Sequence, residues 1–469
     1  MTYPEAIQYL ESFINYERIP AYPYKETLKL ERIRDFLRTI GDPQEELRCI
    51  HVAGTKGKGS TCAFVAFVLR QAGYRVGLYT SPHLTDFRER IRILEIPNSV
   101  VRTRLPFTPS EGEALKSQIP NSDFEGMISE QELIGLIEKI RPAMEAHNQK
   151  SKHGALSFFE IYTALAFVYF KEKKVDFAVL ETGLGGRLDA TNVVEPIASA
   201  ITPISYEHTD KLGSTLEEIA TEKAGIIKKI QNPKSKFQNP IVVSAPQEKE
   251  AMKVIRGRCE GTGARLYEVD RDIFYEEANQ GFNVIGLFQE YPNLETRLLG
   301  RHQMINAAVA IGVIESLRYH DVYVGTDAVR EGLYNTFWPA RCEIVSRDPF
   351  VAVDGAQNVA SASALKQAIQ ENFKYQRLIL VLGISQDKDI EGVCRQFYDW
   401  ADEVILTKAG NPRASPPEAL ARYFEGRSVH LTRNVEEAKK ISRKMATKSD
   451  LILVTGSLFV AGEYRDGSG

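Results

Sequence analysis

The sequence predicts an α/β protein, with a mostly parallel sheet in a large first domain and a smaller α/β domain after it. Short apolar runs alternate with helix-patterned segments through the first half, the rhythm of strand–helix–strand units. The alternation restarts after Trp338-Pro339-Ala340-Arg341. Glycine-rich turns follow two of the apolar runs, where strand-to-helix connections are expected. The predicted domains are residues 1–340 and 345–469, and the first carries an insertion at about 96–127.

In chain order, Arg48 to Val52 reads as a buried strand and Ser60 to Gln71 as a helix closed by Gly73. Val76 to Tyr79 is a second strand. Ile96 to Met127 breaks the rhythm with PNS, PFTPSEG and IPNSDFEG, turn chemistry that reads as a surface insertion or as a lid or substrate-contacting loop. A helix over Phe158 to Phe170 leads into strands at Asp176 to Leu180 and Ala198 to Thr202. An amphipathic helix follows at Leu216 to Lys229. In the second domain, strands are predicted at Phe350 to Val353, Leu378 to Leu382, Val404 to Leu406, Ser428 to Leu431 and Leu451 to Val454. A helix at Ala360 to Glu371 joins the first two.

Composition narrows the function. The chain has 469 residues, 43% hydrophobic and 26% charged, which suits a globular enzyme. Lys and Arg (59) nearly balance Asp and Glu (62), so neither nucleic acid nor a membrane surface is an expected partner. No apolar run approaches the ~20 residues that cross a bilayer. The N-terminus does not read as a signal peptide. The five cysteines are scattered without a CxxC pair, so a reducing cytoplasm is the expected location.

The strongest local signal is Gly54-Thr55-Lys56-Gly57-Lys58-Gly59-Ser60-Thr61, placed between a strand and a helix. Glycines let backbone amides approach an anion, and a helix N-terminus adds positive potential. Lys58 can reach terminal phosphates, and Ser60 or Thr61 can offer a hydroxyl to magnesium. The run departs from G-x-x-x-x-G-K-[ST], because Val52 holds the first glycine position and Gly59 follows the lysine. A second constellation begins at Glu181, a carboxylate at a strand tip, where open α/β sheets bind ligands. The loop after it carries Arg187, Leu188, Asp189 and Asn192. His208 follows the next strand, where a lone histidine reads as structural or solvated more readily than as a ligand, imidazole being an uncommon Mg²⁺ ligand. Lys223 lies on what periodicity alone reads as a solvated helix face.

GTKGKGSTC, YTSPHL, FFEIYTALAF, ETGLGGRLDATN, HTDKLGSTLEEIATEKAGIIK, RHQMINAAVA, WPAR and DGAQN occur in the order found in folylpolyglutamate and dihydrofolate synthases, within the Mur ligase superfamily. The chain resembles that family over nearly its whole length. The resemblance implies a P-loop NTPase-like domain with a mostly parallel sheet, followed by a smaller Rossmann-like α/β domain on the glutamate-binding side. It implies an ADP-forming ligase that joins L-glutamate to folate or dihydropteroate through an acyl phosphate. Lys58 then corresponds to the phosphate-loop lysine, and Ser60, Ser81, Glu181 and His208 to residues that arrange two Mg²⁺ ions. Lys223 corresponds to a lysine carbamylated in relatives, where it becomes a carboxylate-like metal bridge, and a monovalent cation such as K⁺ is a further implied cofactor. Asn306, Arg341 and Asp354 correspond to ATP contacts, and Phe158, Phe159, Arg187, Leu188 and Asp189 to the pterin pocket. A monomer is implied.

Gln357 departs from the pattern, since relatives read DGAHN where this chain reads DGAQN. An amide hydrogen-bonds but is neither cation nor base near neutral pH. Two alternatives stay open at this point. A cell-wall Mur ligase is expected to carry a UDP-binding domain ahead of the phosphate loop, and the glycine at 59 is folate-type. A catalytically inactive nucleotide-binding module would have little need of Lys58, Glu181, His208, Lys223, Asn306, Arg341 and Asp354 together.

Overall fold

A computed structural model describes residues 1–19, 22–96, 124–229 and 240–466. The first sheet has seven strands: β1 (Cys49–Ala53), β2 (Val76–Tyr79), β3 (Ile91–Leu94), β4 (Phe177–Glu181), β5 (Ala198–Ile201), β6 (Ile241–Ser244) and β7 (Arg265–Glu268). Their order is β3-β2-β4-β1-β5-β6-β7, and every pairing is parallel except β2 with β3. β1 and β4 are buried at every position, because helices cover both faces of the sheet centre. This explains why they read as continuous apolar runs rather than alternating ones.

The helix Lys58–Gln71, with Gly57 as its N-cap, starts two residues earlier than the periodicity marks and packs on the helices His302–Ser316 and Thr326–Asn335. The helix expected to reach Lys229 stops at Lys223, and Ala224–Ile226 forms one tighter turn. The reason is a close approach. A Cβ on Gly225 would sit 2.4 Å from that of Arg187, and Asn192 Nδ2 donates to the Gly225 carbonyl.

Three further strands, β8 (Phe274–Glu277), β9 (Phe282–Ile285) and β10 (Glu290–Leu294), form a small antiparallel sheet that the alternation did not foreshadow. Glu276, Glu277 and Glu290 project from it, and only one of its faces is buried. Residues 97–123, the bulk of the predicted insertion, lie outside the described residues. At its far end, Ile93 N donates to Gly126 O at 2.7 Å.

The second sheet comprises β11 (Glu343–Arg347), β12 (Phe350–Val353), β13 (Leu378–Leu382), β14 (Glu403–Leu406), β15 (Val429–Leu431) and β16 (Leu451–Thr455). Its order is β11-β12-β16-β13-β14-β15, and only β11 runs antiparallel to its neighbour. Separate apolar clusters fill the two faces of this sheet. No described helix is long and apolar enough to cross a membrane.

Candidate active site

The phosphate loop is stitched into place before it meets any ligand. The amides of Thr55 and Lys56 both donate to Pro203 O, at 3.0 and 3.1 Å. The Thr55 hydroxyl donates to Ser205 O and accepts from Ser205 N. Those two amides, included in the predicted phosphate cradle, are therefore spent inside the protein. The first intrahelical bond runs from Thr61 N to Gly57 O, at 2.9 Å. This leaves the preceding amides of Lys58, Gly59 and Ser60 as the first-turn donors available to an anion. Gly54 and Gly57 have φ of 149° and 81°. A Cβ on them would lie 1.9 Å from Thr202 Oγ1 and 2.1 Å from Asn306 Oδ1, so both close approaches demand glycine. Asn306 thus stands against the loop, its amide donating to Gln303 Oε1 at 2.9 Å. The Thr61 hydroxyl is buried without a partner among the described residues, whereas Gly59 lies under the Trp338 indole.

Glu181, at the tip of β4, accepts from Ser81 N at 3.2 Å. Burial raises its carboxyl pKa, while the positive charges of Lys58 and Arg341 oppose that rise. Gly59, Ser81, Glu181, Trp338 and Arg341 line one small cavity of about 40 Å³. Arg341 comes from the crossing between the lobes, where Ala340 and Cys342 adopt left-handed φ of 53° and 50°. Non-glycine residues rarely sit there, and such strain concentrates at functional sites. Asp354 holds the turn by accepting from Cys342 N and Ala356 N, both at 2.7 Å. Its carboxyl is raised by burial and restrained by Arg341.

Lys223 is buried, contrary to the solvated face that periodicity suggests, and its Nζ donates to Gly54 O at 2.7 Å. Burial, helped by the charge of Lys58, pushes its pKa down to about 7. Lys56 faces Glu207 at 3.6 Å. His208 has a left-handed φ of 52° and is pushed down to about 4 by burial, against the pull of Glu207. Among the described residues, no three His, Cys, Asp or Glu side chains converge as a metal cage.

A cavity of about 480 Å³ adjoins this centre and is walled by both lobes. Ser81, Phe159, Leu188, Asp189 and His208 line it from the first, and Gln357, Ser385, Lys388 and Arg413 from the second. Two of the predicted pocket residues are placed elsewhere. Phe158 is wholly buried against Phe87 and Tyr162, because a helix turns its neighbour Phe159 to the cavity instead. Arg187 is bound at 2.7 Å to Glu222. Asp189 is buried, accepting from Leu184 N at 2.9 Å and from the Thr191 amide and hydroxyl at 3.0 and 2.5 Å. Sequence reasoning missed Arg90, which lines the cavity while forming a two-bond pair with Glu17 at 2.8 and 2.6 Å. It also missed His83, whose Nδ1 accepts from Arg90 Nε at 2.9 Å. The position of Arg90 close behind YTSPHL was the available signal.

Comparison with known proteins follows the same division. The Mur ligase middle domain model matches residues 132–314, and the Mur ligase glutamate ligase domain model matches residues 340–458. The dihydrofolate synthase/folylpolyglutamate synthase of Bacillus subtilis is 34% identical over 443 residues, covering 93% of this chain and 94% of the relative. A Mycobacterium tuberculosis folylpolyglutamate synthase complexed with ADP superposes with a TM-score of 0.83 at 30% identity, covering 100% of this chain and 98% of that one. Escherichia coli FolC in complex with DHPP and ADP gives a TM-score of 0.79 at 26% identity, covering 100% of this chain and 97% of that one. With its loop, strand-tip carboxylate and two-lobed cleft on such a frame, the chain belongs to the folylpolyglutamate/dihydrofolate synthase family of Mur-type ligases.

Proposed function

We propose that this chain uses ATP to join the amine of L-glutamate to the carboxylate of a folate-type acceptor. One observation carries the reading: the first turn of the phosphate-loop helix, the Glu181 carboxylate and Arg341 share a single cavity where the two lobes meet. The amides of Lys58, Gly59 and Ser60, with the Lys58 ammonium, grip the triphosphate. Asn306, Arg341 and Asp354 hold the nucleotide from the other side. An acceptor carboxylate oxygen attacks the γ-phosphorus, ADP leaves, and an acyl phosphate forms. The glutamate amine then attacks the acyl carbon, and phosphate departs as the amide forms. Acceptor and glutamate occupy the larger cavity, whose walls exclude water from the acyl phosphate. Gln357 and Lys388 face glutamate, where the amide offers hydrogen bonds but takes no proton.

The donor set suits Mg²⁺, which binds through one or two carboxylates and completes its shell with phosphate oxygens and water. Glu181, the Ser60 and Ser81 hydroxyls and His208 would hold it, and it would neutralise charge on the phosphates. Lys223 is suited to carbamylation, because burial leaves a large share of its amine neutral at pH 7. Both lobes of the cleft come from one chain, so the reading requires no second copy.

Incubation with ATP, Mg²⁺, glutamate and a panel of pteroate and folate acceptors tests the reaction. Phosphate release that depends on both acceptor and glutamate is expected, and release indifferent to either would refute it. Lys223→Ala is expected to cripple turnover, with partial rescue by short carboxylates. Full activity without rescue would remove the carbamate.

A further inference from the structure

We propose that His51, inside β1 ahead of the phosphate loop, is a positioning residue for the acceptor: it fixes the Thr191 hydroxyl so that this hydroxyl donates to Asp189. The inference rests on the reading above in one respect, that the cavity bordered by Asp189 takes the acceptor.

His51 is 0% exposed and paired on both sides, opposite Leu180 in β4 and Ser199 in β5. Its Nε2 lies 2.8 Å from Thr191 Oγ1, and its Nδ1 is buried without a partner among the described residues. The Thr191 hydroxyl lies 2.5 Å from Asp189 Oδ1, the separation of an O–H donating to a carboxylate. A hydroxyl has one proton. If Thr191 gives it to Asp189, it receives from His51, and the imidazole carries its hydrogen on Nε2. The opposite tautomer would bury an N–H on Nδ1 with no acceptor, and would also draw the threonine proton away from Asp189. Orphaned buried N–H groups are the rarer and costlier defect. Burial holds the imidazole pKa down to about 3, so it stays a neutral donor across the working pH range.

The rest of the Ala190–Val193 turn is held without His51. Lys228 Nζ donates to Asn192 O at 2.8 Å, and Asn192 Nδ2 reaches Arg187 O and Gly225 O. What His51 adds is the direction of one hydroxyl. With one Asp189 oxygen committed to Thr191 and the other to Leu184 N, the carboxylate is fixed in orientation at the cavity wall. It is then ready to accept from N–H donors on the acceptor's polar head.

The test is steady-state kinetics on His51→Gln, His51→Asn, Thr191→Val and the His51→Asn/Thr191→Val double variant. Glutamine carries an amide N–H as far as Nε2, whereas asparagine reaches only as far as Nδ1. We expect His51→Asn and Thr191→Val each to raise the acceptor KM on the order of tenfold, the value of a charge-assisted bond. The KM for ATP and kcat should move less than about twofold, and His51→Gln should recover most of the loss. The double variant should be no worse than either single one, since both break the same chain. An ATP KM rising in step with the acceptor KM would make His51 a mere support of the phosphate loop and overturn the proposal. Multiplying effects in the double variant, or equal losses for glutamine and asparagine, would overturn it too. Asp189→Asn separates the two levels. If it leaves the acceptor KM unchanged, the acceptor placement itself fails. If it raises that KM while His51→Asn is silent, only the positioning role fails.

Discussion

The two ends of the cleft are built from different materials. The nucleotide end is mainly backbone: two glycines at positive φ, helix-turn amides, and a carbonyl that holds a buried lysine. The acceptor end is mainly side chains drawn from distant parts of the chain. Arg90 pairs with Glu17, Arg32 with Glu160, and His51 reaches Asp189 through Thr191. A backbone-built site tolerates little change in shape but needs few partners. A side-chain-built site depends on each charge finding its opposite.

The largest expected effect tests the first half of that contrast. Lys58→Ala removes one ammonium from a loop whose shape is set by glycines and by bonds to Pro203 and Ser205. Turnover should fall on the order of 10³-fold, as expected when a charge that stabilises phosphoryl transfer is lost. The urea unfolding midpoint should not move. Near-normal turnover would mean that the loop binds phosphate without its lysine, and a large loss of stability would mean that the backbone does not hold itself.

The acceptor end should respond the other way, in stability rather than in phosphoryl chemistry. Arg32 and Glu160 keep only 6% of their side-chain surface each, with Arg32 Nε 2.9 Å from both carboxylate oxygens. Glu160 also accepts from the Ser157 amide and hydroxyl, closing the cap of the helix Phe158–Glu172. Glu160→Ala strands a buried guanidinium and opens that cap. The expected cost is about 3–5 kcal/mol in urea unfolding, with little change in ATP affinity. A cost below about 1 kcal/mol would show that water reaches Arg32 and that the pair is not the frame of this wall.

The same difference in materials explains what was legible in the sequence. Glycine, lysine and serine close together report a phosphate loop, because its geometry is made by neighbours in the chain. The buried runs of β1, β4, β13 and β16 were equally plain, since strands covered on both faces leave no polar alternation. The pairing of Arg90 with Glu17 spans 73 positions, and that of Arg32 with Glu160 spans 128, so nothing local announces either. Lys223 shows the limit most sharply. Its helix carries charged residues on several sides, and only the fold shows that this one lysine turns inward to Gly54. Phe158 and Phe159 show a milder form, where one motif names two rings and the helix phase admits one.

The smallest effect sharpens the comparison through pH. Lys228 lies beneath the Ala190–Val193 turn at the acceptor end, pushed down to about 7 chiefly by burial and also by the charge of Arg34. The unfolded chain keeps this lysine protonated up to its ordinary value of 10.5. Between those values the folded protein binds fewer protons than the unfolded chain, so this group makes stability rise with pH across the window. The slope has a ceiling of about 1.4 kcal/mol per pH unit for a single group. Lys228→Met removes the titration while leaving a side chain of similar length. The stability of the natural protein relative to the variant should therefore grow from pH 7 toward pH 10 in urea unfolding. A flat difference would mean that the lysine is charged in its buried place, and that the nearby Glu195 carboxylate, which favours the charged form, outweighs burial there.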